Sequence, residues 1–383
     1  MTAASVQRHA RASLALGAVL ACAAAAPASG QGLDVVADGL SNPHGLAFGP
    51  DGKLYVAEAG RGGSGPCIPG PEGEDTCYGA TGAITRVDIK SGKTRQILRG
   101  LPSLAAQTGD VRGADALGPN DVSFRGATGY FTIGLGANPA MRRQLGRAGR
   151  RFAGLYRIGR NGRVRRVADL GAYEAKHDPD KGRPTAEVDT NPFSVDASGS
   201  GGILVTDAGG NALLRVSPSG RVKTVAVFPF AETLAPPFLG LPPGTQVAYQ
   251  PVPTGVVRAP GGVAYVGQLT GFPFPSGAAS VFHVMGSGGE PAVHASGFTN
   301  VVDVARSRDG DLYALQITTT GLAGPPSPGK LVRVAADGTQ TELAAGRLEH
   351  PTGMAVARNG DLYVANRGGS PNNAQIVRIS PTG

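Results

Sequence analysis

Tryptophan is absent from the 383-residue sequence, cysteine occurs 3 times, aromatic residues make up 5% and charged residues 17%. Each shortage excludes something. With 41% apolar residues and so little charge, the chain can bury a core, which excludes wholesale disorder. No Gly-x-Ser-x-Gly elbow and no Gly-rich phosphate loop ahead of a helix is present. His177, His283, His294 and His350 stand alone, without metal-ligand spacing. The formal charge of +8 falls to +6 once Arg8 and Arg11 of the N-terminal segment are set aside, too mild to argue for a nucleic-acid partner. What is plentiful is turn chemistry, with 60 glycines and 30 prolines. They fall about every fourth residue, which excludes long helices, and the glycines lack the three-residue period of collagen.

Residues 1–30 read as a secretory signal peptide. Arg8 and Arg11 precede an apolar run over 13–26, and the small residues Ala28-Ser29-Gly30 follow. The run is shorter than the roughly 20 apolar residues of a membrane span, so no transmembrane segment is expected after cleavage. Val19-Leu20-Ala21-Cys22 is a loose bacterial lipoprotein box, and a lipidated Cys22 is the minor alternative to secretion. Cys67 and Cys77 remain, ten positions apart in a loop whose one apolar residue is Ile68. Export favours a disulfide between them. Zinc, the rival, needs about four ligands, and no further Cys or His is near.

One phrase recurs six times. It begins Asn42-Pro43-His44-Gly45-Leu46, Gly118-Pro119-Asn120-Asp121-Val122, Asn191-Pro192-Phe193-Ser194-Val195, Val252-Pro253-Thr254-Gly255-Val256, Asn300-Val301-Val302-Asp303-Val304 and His350-Pro351-Thr352-Gly353-Met354. Each copy continues through a Gly turn into a second apolar stretch and then a third, such as Ile84-Thr85-Arg86-Val87 or Leu331-Val332-Arg333-Val334. Short apolar runs joined by Pro-Asp-Gly, Arg-Asn-Gly and Pro-Ser-Gly turns are strands in tight hairpins. Four such strands repeated six times predict an all-β, six-bladed β-propeller over residues 31–383. The last unit stops after its third strand, while Asp34–Pro43 aligns with Glu342–Pro351. The N-terminal strand is therefore expected to close the ring and remove the open edge.

Spacings between successive copies are 76, 73, 61, 48 and 50 residues, so the early units carry insertions. These fall between second and third strands (60–81, 136–152, 318–329) or between blades (99–117, 171–190, 229–251), which places them all on one face. Long loops on a rigid scaffold are the usual seat of function. In the same register, second strands end at that face with Glu58, Gly134, Asp207, Gln268, Gln316 and Asn366. First strands begin with His44, Asn120, Ser194, Thr254, Val302 and Thr352, then Gly45, Asp121, Val195, Gly255, Asp303 and Gly353. Candidate ligand-binding residues are thus His44, Glu58, Asp121, Asp207, Gln268, Gln316, Asn366 and Asp303. Their carboxylates, Glu58, Asp121, Asp207 and Asp303, are candidate ligands for Ca²⁺ or another divalent metal. The competing reading is that these groups bond backbone at strand ends. Phe230, Phe238, Leu239, Phe272 and Phe274 place apolar surface in the same loops, and Arg142, Arg143, Arg147, Arg150 and Arg151 make one loop basic.

The first copy, with Val56-Ala57-Glu58-Ala59-Gly60-Arg61-Gly62-Gly63, Cys77-Tyr78-Gly79-Ala80-Thr81-Gly82, Val205-Thr206-Asp207-Ala208-Gly209-Gly210-Asn211 and Gly267–Pro275, resembles NHL repeats and the ScyD/ScyE family of secreted NHL-type propellers. The resemblance covers all six units and implies fold and export; it carries no catalytic residues. Gly39–Phe48 also resembles the first blade of quinone-dependent sugar dehydrogenases, whose later active-site phrases find no match here. The resulting expectation is an exported, monomeric binding or scaffold protein that meets an extracytoplasmic ligand or protein through its elaborated face. The alternative is a metal-dependent propeller enzyme, lyase-, lactonase- or sugar-dehydrogenase-like, with its site at the channel mouth.

Overall fold

Six antiparallel sheets, five of them four-stranded and the first five-stranded, follow one another around a ring in the computed structural model, which describes residues 33–380 apart from 72, 110, 160 and 161. The signal peptide expected over residues 1–30, Cys22 included, lies outside the described residues. The third blade shows the plan at its simplest: Pro192–Asp196, Ile203–Asp207, Ala212–Val216 and Val222–Val227 run from the axis outward. The sixth is made of Gly353–Val356, Leu362–Asn366 and Ala374–Ile379, with Asp34–Leu40 as its outer strand. Asp34 faces Arg378 and Leu40 faces Ala374 across that seam, and the Arg378–Asp34 ion pair is 2.5 Å long. The ring closes through the N-terminal strand, as the alignment of its two ends requires.

Each blade is covered on both faces by its neighbours, so its inner strands read as continuous apolar runs rather than as an alternation. Ile203–Asp207, Leu312–Gln316 and Leu362–Asn366 are buried at every position. The core is correspondingly divided into wedges between blades. Ile84 and Leu104 of the first blade meet Phe131, Leu135 and Phe152 of the second. Phe228 of the third meets Phe282 of the fourth with ring centres 5.4 Å apart. Truncating such a fully buried Phe to Ala costs about 3–5 kcal/mol.

The first blade departs from the plan. Its third and fourth strands, Asp75–Val87 and Thr94–Ala106, are 13 residues each and rise beyond the blade as a twisted ribbon. Part of what the sequence suggests is loop, in 60–81 and 99–117, is therefore strand. A third short strand, Cys67–Pro69, pairs with the ribbon so that Cys67 faces Cys77, and the two are joined by a disulfide.

Two other insertions are ordered around small elements. Residues 231–249 form a separate hairpin, Ala231–Leu234 with Gln246–Tyr249. Leu170–His177 is a two-turn helix started by Asp169, whose carboxylate accepts the Ala172 N–H at 2.9 Å, and stopped at Asp178, which is left-handed at φ 44°. No helix among the described residues is long and apolar enough to cross a membrane.

Candidate functional site

The repeat register holds. Glu58, Asp207, Gln268, Gln316 and Asn366 each end the second strand of a blade, and all are buried. Their oxygens accept backbone N–H groups where the chain turns toward the axis: Ser41 to Glu58 at 2.8 Å, Asn191 to Asp207 at 2.7 Å, Thr299 to Gln316 at 2.5 Å and Glu349 to Asn366 at 2.7 Å. Gln268 takes the N–H of Ser280 instead, at 3.1 Å. Glu58 also accepts from Thr85, and Asp207 from the Thr190 hydroxyl at 2.6 Å and Gly210 N at 3.2 Å. The need is local. The residue that follows the clamped N–H is left-handed in three of these blades, Asn42, Asn300 and His350, a conformation Asn adopts at low cost. A buried N–H beside that turn must find an acceptor.

Asp121 and Asp303 occupy the channel wall and reach from one blade to the next. Asp121 accepts Val122 N at 2.7 Å, Val195 N at 2.8 Å and the Ser194 hydroxyl at 2.7 Å. Asp303 accepts Val304 N and Met354 N, both at 2.8 Å. On the other flank of each lies a glycine: a Cβ at Gly45 would stand on Asp121 Oδ1, and one at Gly255 would lie 2.5 Å from Asp303 Oδ1. Blades one to three thus repeat in blades four to six. Burial outweighs the donors and raises Asp121 to about 7; burial and the charge of Asp121 raise Asp303 well above the carboxylate range. His44 Nδ1 lies 3.1 Å from Asn120 Oδ1, and burial lowers its pKa, so it is neutral near pH 7.

Above the channel the insertions enclose a cleft of about 510 Å³. Its lining combines the apolar Leu269, Phe272, Phe274 and Leu322 with the polar Glu187, Asp189 and Gln250. Phe272 is 54% exposed and meets Phe238 and Phe274 edge-on, ring centres 6.1 Å away in each case. Of the basic loop, Arg142 is tied to Asp169 at 2.7 Å, and the Arg150 carbonyl accepts from Arg166 at 2.9 Å. Arg142, Arg143, Arg150, Arg166 and Lys176 line a second hollow of about 680 Å³, outside the mouth cleft.

Below the cleft floor, Asp207 meets acids that the repeat register does not contain. Glu174 comes from the short helix, Asp178 and Asp180 from the turn that ends it, and Asp189 from the run back to the third blade. One oxygen from each of Glu174, Asp178 and Asp180 lies within 4.8 Å of the others. Asn211 Nδ2 donates to Asp180 Oδ2 at 2.8 Å. Burial and the charges of Asp207, Asp180, Asp178 and Asp189 raise Glu174 to about 9; burial, then Asp207 and Asp180, raise Asp189 to about 7. Asp207 and Asp180 are raised as well, burial first. Repeat reasoning finds Asp207 alone of these. The signal for the others is acid density, five carboxylates within residues 171–190, followed by Gly209-Gly210.

No family model matches the chain, and no curated protein matches it in sequence. Among solved structures it is similar to the PQQ-bound aldose sugar dehydrogenase of Streptomyces coelicolor, at 15% identity and TM-score 0.50, over 93% of this chain and 100% of that one. A protein of unknown function from Bacteroides thetaiotaomicron aligns at 9% identity and TM-score 0.53, over 91% and 72%. A streptogramin B lyase, a six-bladed propeller, aligns at 12% identity and TM-score 0.47, over 91% and 98%. At these identities the likeness concerns the fold, and fold does not carry function.

Proposed function

We propose that the chain is an exported NHL-type propeller, of the kind named from the ScyD/ScyE family, that acts by binding. Its seat is the mouth cleft. The observation that carries this reading is a cleft of about 510 Å³ lined by aromatic and aliphatic side chains together with two carboxylates, within the roughly 300–1,000 Å³ and the apolar-with-few-polar-groups composition of small-ligand sites. The fitting ligand is amphiphilic: an apolar ring or chain against Leu269, Phe272, Phe274 and Leu322, with a cationic or hydroxyl-rich end toward Glu187 and Asp189. The acids at the mouth of the axis support binding over a metal-centred reaction there, since Glu58, Asp121 and Asp303 already give both oxygens to protein donors.

The test is a thermal-shift screen of amphiphilic amines and glycosides, with hits repeated by calorimetry on Phe272→Ala and Glu187→Gln. Loss of the exposed ring should weaken a true ligand about tenfold or more, in line with an aromatic contact of about 0.5–1.5 kcal/mol plus its buried area. Hits that bind both variants as tightly as the parent would remove the cleft as the seat.

A further inference from the structure

We propose that Glu174, Asp178 and Asp180, backed by Asp189 and by the charge of Asp207, whose own oxygens are held by protein donors, form a site for a hard divalent cation, calcium in preference, beside the cleft. Three observations meet there. The first is the cluster itself, three ligand oxygens within 4.8 Å of one another. The second is independent of the clustering. Glu174 and Asp180 are each 1% exposed, yet Glu174 Oε1 and Asp180 Oδ1 have no hydrogen-bond partner among the described residues, and the buried Asp189 Oδ1 has none either. Leaving carboxylate oxygens dry and without donors is costly, and none of the ion pairs among the described residues involves any of the five acids. The third is the approach of the third blade's backbone, which lacks side chains where it meets the acids: a Cβ at Gly209 would stand on Asp189 Oδ1, and one at Gly210 would lie 2.6 Å from Glu174 Oε2.

The donor set selects the ion. Every candidate ligand is oxygen; His177, the nearest imidazole in sequence, stacks on Tyr173 with ring centres 4.4 Å apart on the exposed side of the helix. Oxygen alone favours Ca²⁺ or Mg²⁺ over zinc or copper. Flexible carboxylates on a turn suit the roughly 6–8 ligands of calcium better than the strict octahedron of magnesium. A bound ion would fasten the helix and residues 178–190 to the end of the third blade's second strand. It would thereby fix Glu187 and Asp189 in the cleft wall, whatever ligand that cleft takes.

Calorimetric titration of the chelator-treated full chain with CaCl₂ tests the site. The expected result is one ion per chain, a rise in Tm of about 5 °C or more, and weaker binding of Mg²⁺. Glu174→Gln and Asp180→Asn should each weaken Ca²⁺ at least tenfold. In chelator the same variants should melt no lower than the parent, because a repulsion has been removed. Should Asp180→Asn fail to fold, the half-buried Asp178→Asn supplies the same readout. The proposal falls if CaCl₂ up to about 10 mM, above the 10⁻⁴–10⁻³ M range of extracellular modules, gives neither heat nor a Tm shift. It falls equally if binding survives both variants.

Discussion

Two groups of acids, one on the channel wall and one at the end of the third blade's second strand, look alike by raised pKa, and they differ in what their oxygens touch. On the wall, Asp121 and Asp303 hold N–H groups of their own and the next blade on both oxygens. At the end of the third blade's second strand, Glu174, Asp180 and Asp189 each keep one buried oxygen without a donor among the described residues. A raised pKa therefore does not separate an acid that fastens a fold from one that awaits a ligand. The unfilled hydrogen-bonding capacity does, because a propeller needs its blades pinned but has no structural use for bare carboxylate oxygens.

The sharpest way to break this comparison is to remove one acid from each group. Asp121→Ala orphans two buried N–H groups and a hydroxyl, at about 1–3 kcal/mol each. A fall in Tm of about 6 °C or more is expected, with or without calcium. A loss that small doses of calcium repaired would place Asp121 with the ligand group instead.

A smaller effect comes from adding one methyl to each group. Gly45→Ala drives a Cβ into a carboxylate that three donors hold still, so about 1–3 kcal/mol should be lost. Gly210→Ala meets the end of the Glu174 side chain, which can swing, and should leave stability in chelator nearly unchanged while weakening calcium. Equal melting losses for the two, measured in chelator, would erase the distinction.

The smallest and most gradual effect is on pH dependence. The Asp121 carboxyl titrates at about 7 in the fold against 3.8 in an open chain, so folding takes up a proton between those values. Its contribution is complete below about pH 4 and is lost as pH rises through about 7. Urea midpoints in chelator should drop from pH 5 to pH 8, and Asp121→Asn should flatten that drop; parallel curves for parent and variant would contradict the assignment.

What the sequence reveals and what it hides follow the same division. The repeat positions, from His44 and Glu58 round to Asn366, are legible because six copies of one hairpin pattern must meet the same axis in the same register. The blade-three acids have no such copies. Asp178, Asp180 and Asp189 sit in an insertion particular to one blade, and their meeting with Asp207 depends on where a two-turn helix places Glu174. The first-blade ribbon is hidden for a related reason. Its register shifts near Gly79, Gly82 and Ile84 interrupt the alternation by which a long strand is recognised.

Closure of the ring by Asp34–Leu40 also has a consequence for how the molecule is made. Arg378 and Asp34 bond across 344 positions, so the strand that leaves the ribosome ahead of all six blades is the last to find its partner. Until Ala374–Ile379 arrives, both edges of that seam are unpaired, and such edges invite pairing with other chains. Contacts this distant in sequence form late and slowly. The hazard therefore lasts until Ala374–Ile379 is in place, while five finished blades stand beside one unlatched sixth, and a chaperone that shields this chain has one short segment to hold back.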